Sequence, residues 1–169
     1  IANMLFLYVA NGVTTVRGMQ GDPSQFGLRN QVDRGLVVGP SIFLASVEMN
    51  GARIQTPETA EQRVREYKVS GYDLIKVAND LPVDVFDAMV RTAAEVGLPF
   101  AGQVSDHVGL RRALVSGQAS IDNLDNYLKG LVPQDLKTEV PPGLSGIDVL
   151  LDRMDETRIP ELVSATIDA

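Results

Sequence analysis

The sequence contains no cysteine. Disulfides, thiolate metal sites and a cysteine nucleophile are therefore excluded. It contains a single histidine, His107, so a histidine-rich zinc site cannot be assembled from this chain alone. Aromatic residues are scarce at 5%, there is no basic run, and the net charge is −7. Nucleic-acid binding needs clustered Lys and Arg to neutralise phosphates, so the expectation is no nucleic acid. No apolar run approaches the roughly 20 residues of a membrane helix, so no membrane partner is expected either. The opening IANMLFLYVA is apolar but short and lacks a basic leader, so it does not read as a signal peptide. There is no G-x-G-x-x-G, no G-x-x-x-x-G-K and no G-x-S-x-G, which leaves phosphate-loop and Ser-His-Asp chemistry unsupported.

What remains is a chain of 169 residues, 44% of them apolar, enough for a globular domain with a real core. It starts without Met, which leaves room for a longer protein around it.

Helix-period and strand-like stretches alternate along the chain. Residues 2–10 carry Met4, Leu5, Tyr8 and Val9 as a helical stripe, stopped by Asn11-Gly12. Residues 13–17 (VTTVR) are β-branched and read as a strand. Ser24 is the expected cap of a helix reaching about Arg34. Residues 41–46 (SIFLAS) read as a buried strand of the parallel type. Thr56-Pro57-Glu58 is a strong helix start, with Thr at the cap and Pro at the first helical position. That helix runs to Ser70 and stops at Gly71. GYDLIKV then reads as a buried strand carrying Lys76 near its carboxyl end. A helix follows Leu81-Pro82 and ends at Gly97. Residues 98–104 are the next strand, His107 opens a helix to Ser116, and residues 119–124 (ASIDNL) are a further strand. Residues 126–146, holding Pro133, Pro141, Pro142 and Gly143, read as a long loop or lid. Two short helices are expected over 147–154 and 160–167.

The repeat of strand and helix, about 25 residues long, implies parallel βαβ units with strands buried on both faces. About five strands are expected. An open doubly wound sheet fits such a count, and so does part of a (β/α)8 TIM-barrel, which takes about 250 residues when complete. The chain begins in a helix with no strand before it and ends where another strand would follow, which favours the barrel. Raw strand edges of a cut barrel need more chain or a partner to cover them, so a homo-oligomer is expected.

Lys76 has two readings on the residues alone. A lysine near the carboxyl end of a buried parallel strand stands where sites are built. It can equally reach to the rim, or pair with a nearby acid such as Asp73 or Asp80.

ANGVTTVRGMQGDP, RGLVVGPSIFLAS, TPETAEQRVREYKVSGYDLIKV and GLPFAGQVSDHVGLRRALVSGQASIDNLDNY, in this order and spacing, resemble the amidohydrolase superfamily. The branch they resemble most is the imidazolonepropionase-like and Xaa-Pro-dipeptidase-like one. The resemblance covers nearly all of residues 2–127 and weakens after Tyr127. It implies an α/β fold of the (β/α)8 barrel type, with residues 1–169 forming part of a single catalytic-type domain. It also implies a hydrolase acting on amide, peptide, lactam or ester bonds through metal-activated water. The implied cofactor is a divalent metal, zinc first, and the implied substrate a small molecule or peptide. Family members hold their metals with a His-x-His pair, a carboxylated lysine, two single histidines and an aspartate. Lys76 matches the lysine.

The chain departs from the pattern at the two single histidines. Gln103 stands in Gly102-Gln103-Val104 where the family has Gly-His-Val. Asn123 stands in Ser120-Ile121-Asp122-Asn123-Leu124-Asp125 where the family has a histidine. Amide oxygens are weaker donors to zinc than imidazole, so the metal site is altered, or no metal is held. Magnesium or calcium would tolerate oxygen donors better, but would acidify water less. Strand alternation would turn Asp122 away from Asn123. His107 and Tyr127 are candidate substrate-binding residues, against plain capping and packing roles. A non-catalytic homologue with a binding or structural role is the alternative function. The compartment is left open between cytoplasm and periplasm.

Overall fold

The structure is a computed structural model and describes residues 2–124, 126–136 and 144–169. Its elements run α1 (Ala2–Ala10), β1 (Thr15–Gly18), α2 (Ser24–Asp33), β2 (Ser41–Leu44), α3 (Pro57–Ser70), β3 (Ile75–Val77), α4 (Val83–Val96), β4 (Phe100–Gly102), α5 (Leu110–Val115), α6 (Tyr127–Leu131), α7 (Leu144–Arg153) and α8 (Ile159–Ile167). This is an α/β chain of helices and short parallel strands.

Helix punctuation is local, and it lies where the sequence puts it. Thr56 is extended and its hydroxyl accepts the amide of Thr59 at 3.2 Å, with Pro57 at the first helical position. Gly71 (φ 85°) and Gly97 (φ 62°) close α3 and α4 in the left-handed conformation, which a side chain disfavours. Ser24 is a correction: it is the first residue of α2, and Asp22 Oδ1 accepts its amide at 2.9 Å. That bond is the main reason the Asp22 carboxyl lies below its ordinary value. The stripe expected on α1 is also only partly used. Leu5 is buried, while Met4 and Tyr8 are exposed.

The strands follow one another across the sheet in chain order. β1 pairs with β2 and β3 with β4, both parallel. Parallel bridges at Ala45–Leu74 and Met49–Val77 join the two pairs. The Ser46 amide donates to Leu74 O and the Met49 amide to Lys76 O, each at 2.8 Å. Beyond β4 there is a single bridge, Gly102–Ile121, in place of the full fifth strand expected over 119–124. Pairing stops there because a 3₁₀ turn starts at Asp122, and Asn123 and Leu124 both take φ 55°. Among the described residues there are thus four strands and three isolated bridges, without a closed barrel.

One face of this sheet is covered by helices. Leu44, Ile75, Val77 and Phe100 pack there with Val64 and Tyr67 of α3 and Val85, Phe86, Met89 and Ala93 of α4. The other face carries a small cluster of Ala45, Leu74 and Ala101, with Met19 against it. Phe43 shares that face by alternation with Ala45 and is 48% exposed. Burial on both faces, expected for the strands, is therefore incomplete on the open side. Past β4, α5, α6 and α8 form a second cluster through Leu110, Ala113, Leu114, Tyr127 and Leu162.

The expected loop over 126–146 contains α6 and a 3₁₀ turn at Gln134–Leu136. Its residues 137–143, with Pro141, Pro142 and Gly143, lie outside the described residues, as does Asp125. No helix among the described residues is long and apolar enough to cross a membrane.

Two tyrosines give the core an alkaline limit. Burial pushes the Tyr67 and Tyr72 hydroxyls above their ordinary value of 10.0. Tyr72 donates to Gly21 O at 3.3 Å and meets Phe26 and Tyr67 edge-on. A raised value in the folded state gives stability that is fully present below the unfolded value. It is lost as pH rises through the folded one. Urea midpoints measured between pH 8 and 12 are expected to hold to about pH 10 and fall above it. The fall should be shallower in Tyr67→Phe, and an unchanged slope in that variant would refute the assignment.

Candidate functional site

The carboxyl ends of all four strands open on one cavity of about 410 Å³, lined by Met19, Gln20, Val47, Glu48, Arg53, Lys76 and Gln103. Met19 and Gln20 follow β1. Val47 and Glu48 follow β2, and Arg53 lies in the turn beyond. Lys76 belongs to β3, and Gln103 follows β4. This is the end of a parallel sheet at which sites are built.

Lys76 is the central residue of β3 and points to the open face, as Leu74 does. Its amide donates to Ser46 Oγ at 3.1 Å and its carbonyl accepts from Met49, so its backbone is held from the β2 side. Gly102 clears its other flank. A Cβ on Gly102 would stand 3.2 Å from Lys76 Cδ and 2.5 Å from Val77 O.

The partner of Lys76 is neither acid proposed from the sequence. Asp73 accepts from Arg29 Nη1 at 2.8 Å and from the Leu44 amide at 2.7 Å. Asp80 accepts the Gly51 amide at 3.1 Å. Lys76 Nζ instead donates to Asp122 Oδ2 at 2.7 Å, with side chains 13% and 20% exposed. Arg17 of β1 approaches the other oxygen of Asp122 at 3.8 Å and donates to Ser120 Oγ at 2.9 Å.

Asp122 corrects the expectation from strand alternation. Alternation holds only while a strand lasts, and here the chain leaves the sheet after Ile121. The turn swings Asp122 to Lys76 and leaves Asn123 exposed, outside the cavity lining. Of the three positions that match family metal ligands, Lys76 and Gln103 thus share the cavity and Asn123 does not line it. Gln103 is pinned through its backbone: its amide donates to Val77 O at 2.9 Å, and its carbonyl accepts from Gln118 Nε2 at 3.2 Å.

The substrate-binding candidates lie elsewhere. His107 does not open a helix. It sits exposed in a turn before α5, its amide donating to Ser105 Oγ at 3.3 Å. Tyr127 is hydrogen-bonded to Thr166 Oγ1 at 3.0 Å and lines a separate cavity with Gln118, Ile121 and Leu124. Glu48 and Arg53, which do line the Lys76 cavity, carry no motif. Their only sequence signal is a position in the loop after the second strand.

The donor set can be tested against the metal that the resemblance implies. Lys76 Nζ is engaged by Asp122. Gln103 offers a neutral amide, and the lone His107 stands outside the cavity. No group of three or more His, Asp or Glu suited to a metal ion occurs among the described residues. These residues do not fit a zinc centre.

Among the solved structures that resemble the chain, one is a bottromycin amidohydrolase, matched at 26% identity and a TM-score of 0.69 over 88% of this chain and 34% of its own. Another, from Bifidobacterium longum, is described as a prolidase. It matches at 25% identity and a TM-score of 0.52, over 63% of this chain and 31% of its own. No protein-family model and no curated protein matches the sequence. The chain therefore spans about a third of the length of these solved relatives. Over that third, by the likeness of their structures and at low sequence identity, it is related to the amidohydrolase-like, prolidase-like proteins.

Proposed function

We propose that this chain is an arc of a TIM-barrel-type domain in a hydrolase of C–N bonds, acting on a small molecule or peptide, with an altered site in place of the family's metal ligands. The observation that carries the proposal is the strand order. Each parallel strand lies beside its predecessor from β1 to Ile121, with no reversal. A doubly wound sheet reverses at its switch point, and a barrel does not. The cavity at the carboxyl ends and the amidohydrolase and prolidase likenesses support the hydrolase part of the reading.

In this chain Lys76, Glu48, Arg53 and Gln103 offer charges of both signs and an amide to a ligand about the size of a dipeptide. Asp122 holds the Lys76 ammonium in place. Substrate recognition is what these residues can supply, and no catalytic step is assigned to a metal through them. The test is to incubate the purified protein with Xaa-Pro dipeptides and N-acyl amino acids and follow release of free amine. Turnover that falls at least ~10-fold in Gln103→Ala supports the reading, a loss of the size expected for a misplaced binding group. No turnover with any of these substrates would overturn it.

The Lys76–Asp122 pair favours a second reading, a non-catalytic homologue that keeps the barrel for binding. Binding of the same dipeptides without turnover, seen by calorimetry, would select it. Self-association belongs to the same proposal, supported by the exposed Met4, Phe6 and Leu7 of α1. Sedimentation would measure it.

A further inference from the structure

The open face is crossed by one charge network. Arg17 and Ser120 are 103 residues apart and joined by a hydrogen bond. Asp122 takes Lys76 on one oxygen and faces Arg17 with the other. We infer that Asp122 is the resident counter-ion of Lys76, so that Lys76 serves as a paired ammonium tying β3 to the chain after Ile121 and not as a carbamate-bearing metal ligand.

The argument is chemical. For the ammonium to become a carbamate, Nζ first loses a proton, the free amine then bonds to the carbon of carbon dioxide, and a second proton leaves. With both protons gone, the side chain changes from one positive charge to one negative charge. Here Nζ lies 2.7 Å from a carboxylate, and a second carboxylate, Glu48, lines the same cavity. The product would set like charges against each other at hydrogen-bond distance in a partly buried site. A carbamate persists in such a place where cations neutralise it, and the donors to hold those cations are not assembled among the described residues. The ammonium, by contrast, has its partner at ideal distance. A second cation, Arg17, shares that partner and is itself fixed by Ser120.

The inference rests on this geometry and not on the hydrolase reading, so the two can fail separately. The experiment uses the purified protein equilibrated with ¹³C-bicarbonate and examined by carbon NMR, beside the Lys76→Met variant. The metal content of both is measured after dialysis against zinc. The expected result is no carbamate signal that distinguishes wild type from Lys76→Met, and equal metal content in the two. A carbamate signal lost in Lys76→Met, or bound zinc lost with it, would overturn the inference whatever the hydrolysis assay shows. A third measurement adds Asp122→Asn. Acetic anhydride should acetylate Lys76 several-fold faster in that variant than in wild type, read by peptide mass spectrometry. An equal rate would mean that Asp122 does not hold the lysine. If Asp122→Asn does not fold, the wild-type and Lys76→Met comparison decides alone.

Discussion

Replacing Phe86 with alanine is expected to remove about 3–5 kcal/mol of unfolding free energy. Phe86 is 1% exposed and lies on the face of α4 that meets the sheet. Its ring meets Phe100 of β4 edge-on, with centroids 5.8 Å apart. The same cluster holds Met89, Val85, Val64 and Leu81, all fully buried. α3 and α4 close over the site from two sides, and β3 and β4 lie beneath them. The void left by Ala would therefore be bounded by regular elements that cannot easily collapse into it, which puts the cost in the upper part of the range for large-to-small changes. A urea denaturation midpoint, with the slope unchanged, measures the loss. A cost under about 1 kcal/mol would mean that the α4–sheet contact is far looser than described.

The same packing explains what can be read in the sequence. α3 and α4 are legible to within a residue or two because their signals are local: Thr56-Pro57 at one start, Gly71 and Gly97 at the ends, and an apolar stripe between. β3 is legible because GYDLIKV follows a helix stop with an apolar run, and its position then marks Lys76 as a site residue. The order β1 to β4 follows from the repeat itself.

The less legible part depends on where a strand stops. Asp122 and Asn123 differ by one residue, and alternation assigns them opposite faces only if pairing continues through both. Pairing ends at Ile121, and three residues with positive φ (Asn123, Leu124 and Asn126) redirect the chain. Asn is common at such positions, whereas Leu is not, so the sequence holds half of that signal. Arg17 is invisible for a different reason. Its contact spans more than a hundred residues, and no local pattern encodes which carboxylate a lone arginine on a short strand will meet. His107 falls outside the helix because Gly109, at φ 78°, delays the start of α5 to Leu110.

Gly102→Ala is expected to cost about 3–5 kcal/mol, the sum of backbone strain at a positive φ and a steric collision. Gly102 has φ 129°, and a Cβ there would stand 2.5 Å from Val77 O and 2.9 Å from Val77 N. Both atoms belong to the β3 backbone, so neither can swing aside as a side chain would. Relief requires β3 and β4 to separate, yet they are held by the register Val77–Gly102 and by the Gln103 amide on Val77 O. Gly102 also donates its amide to Ser120 O at 3.2 Å, which holds the segment leading to Asp122. The substitution should therefore disturb the site as well as the fold. Gly97→Ala provides the control. Gly97 has φ 62°, and the methyl group of an alanine there would meet nothing within 4 Å. It carries strain without collision and should cost about 1 kcal/mol. Thermal or urea unfolding of the two variants isolates the collision as their difference. Equal losses would mean that β3 and β4 are free to part, and that the floor on which Lys76 stands is not rigid.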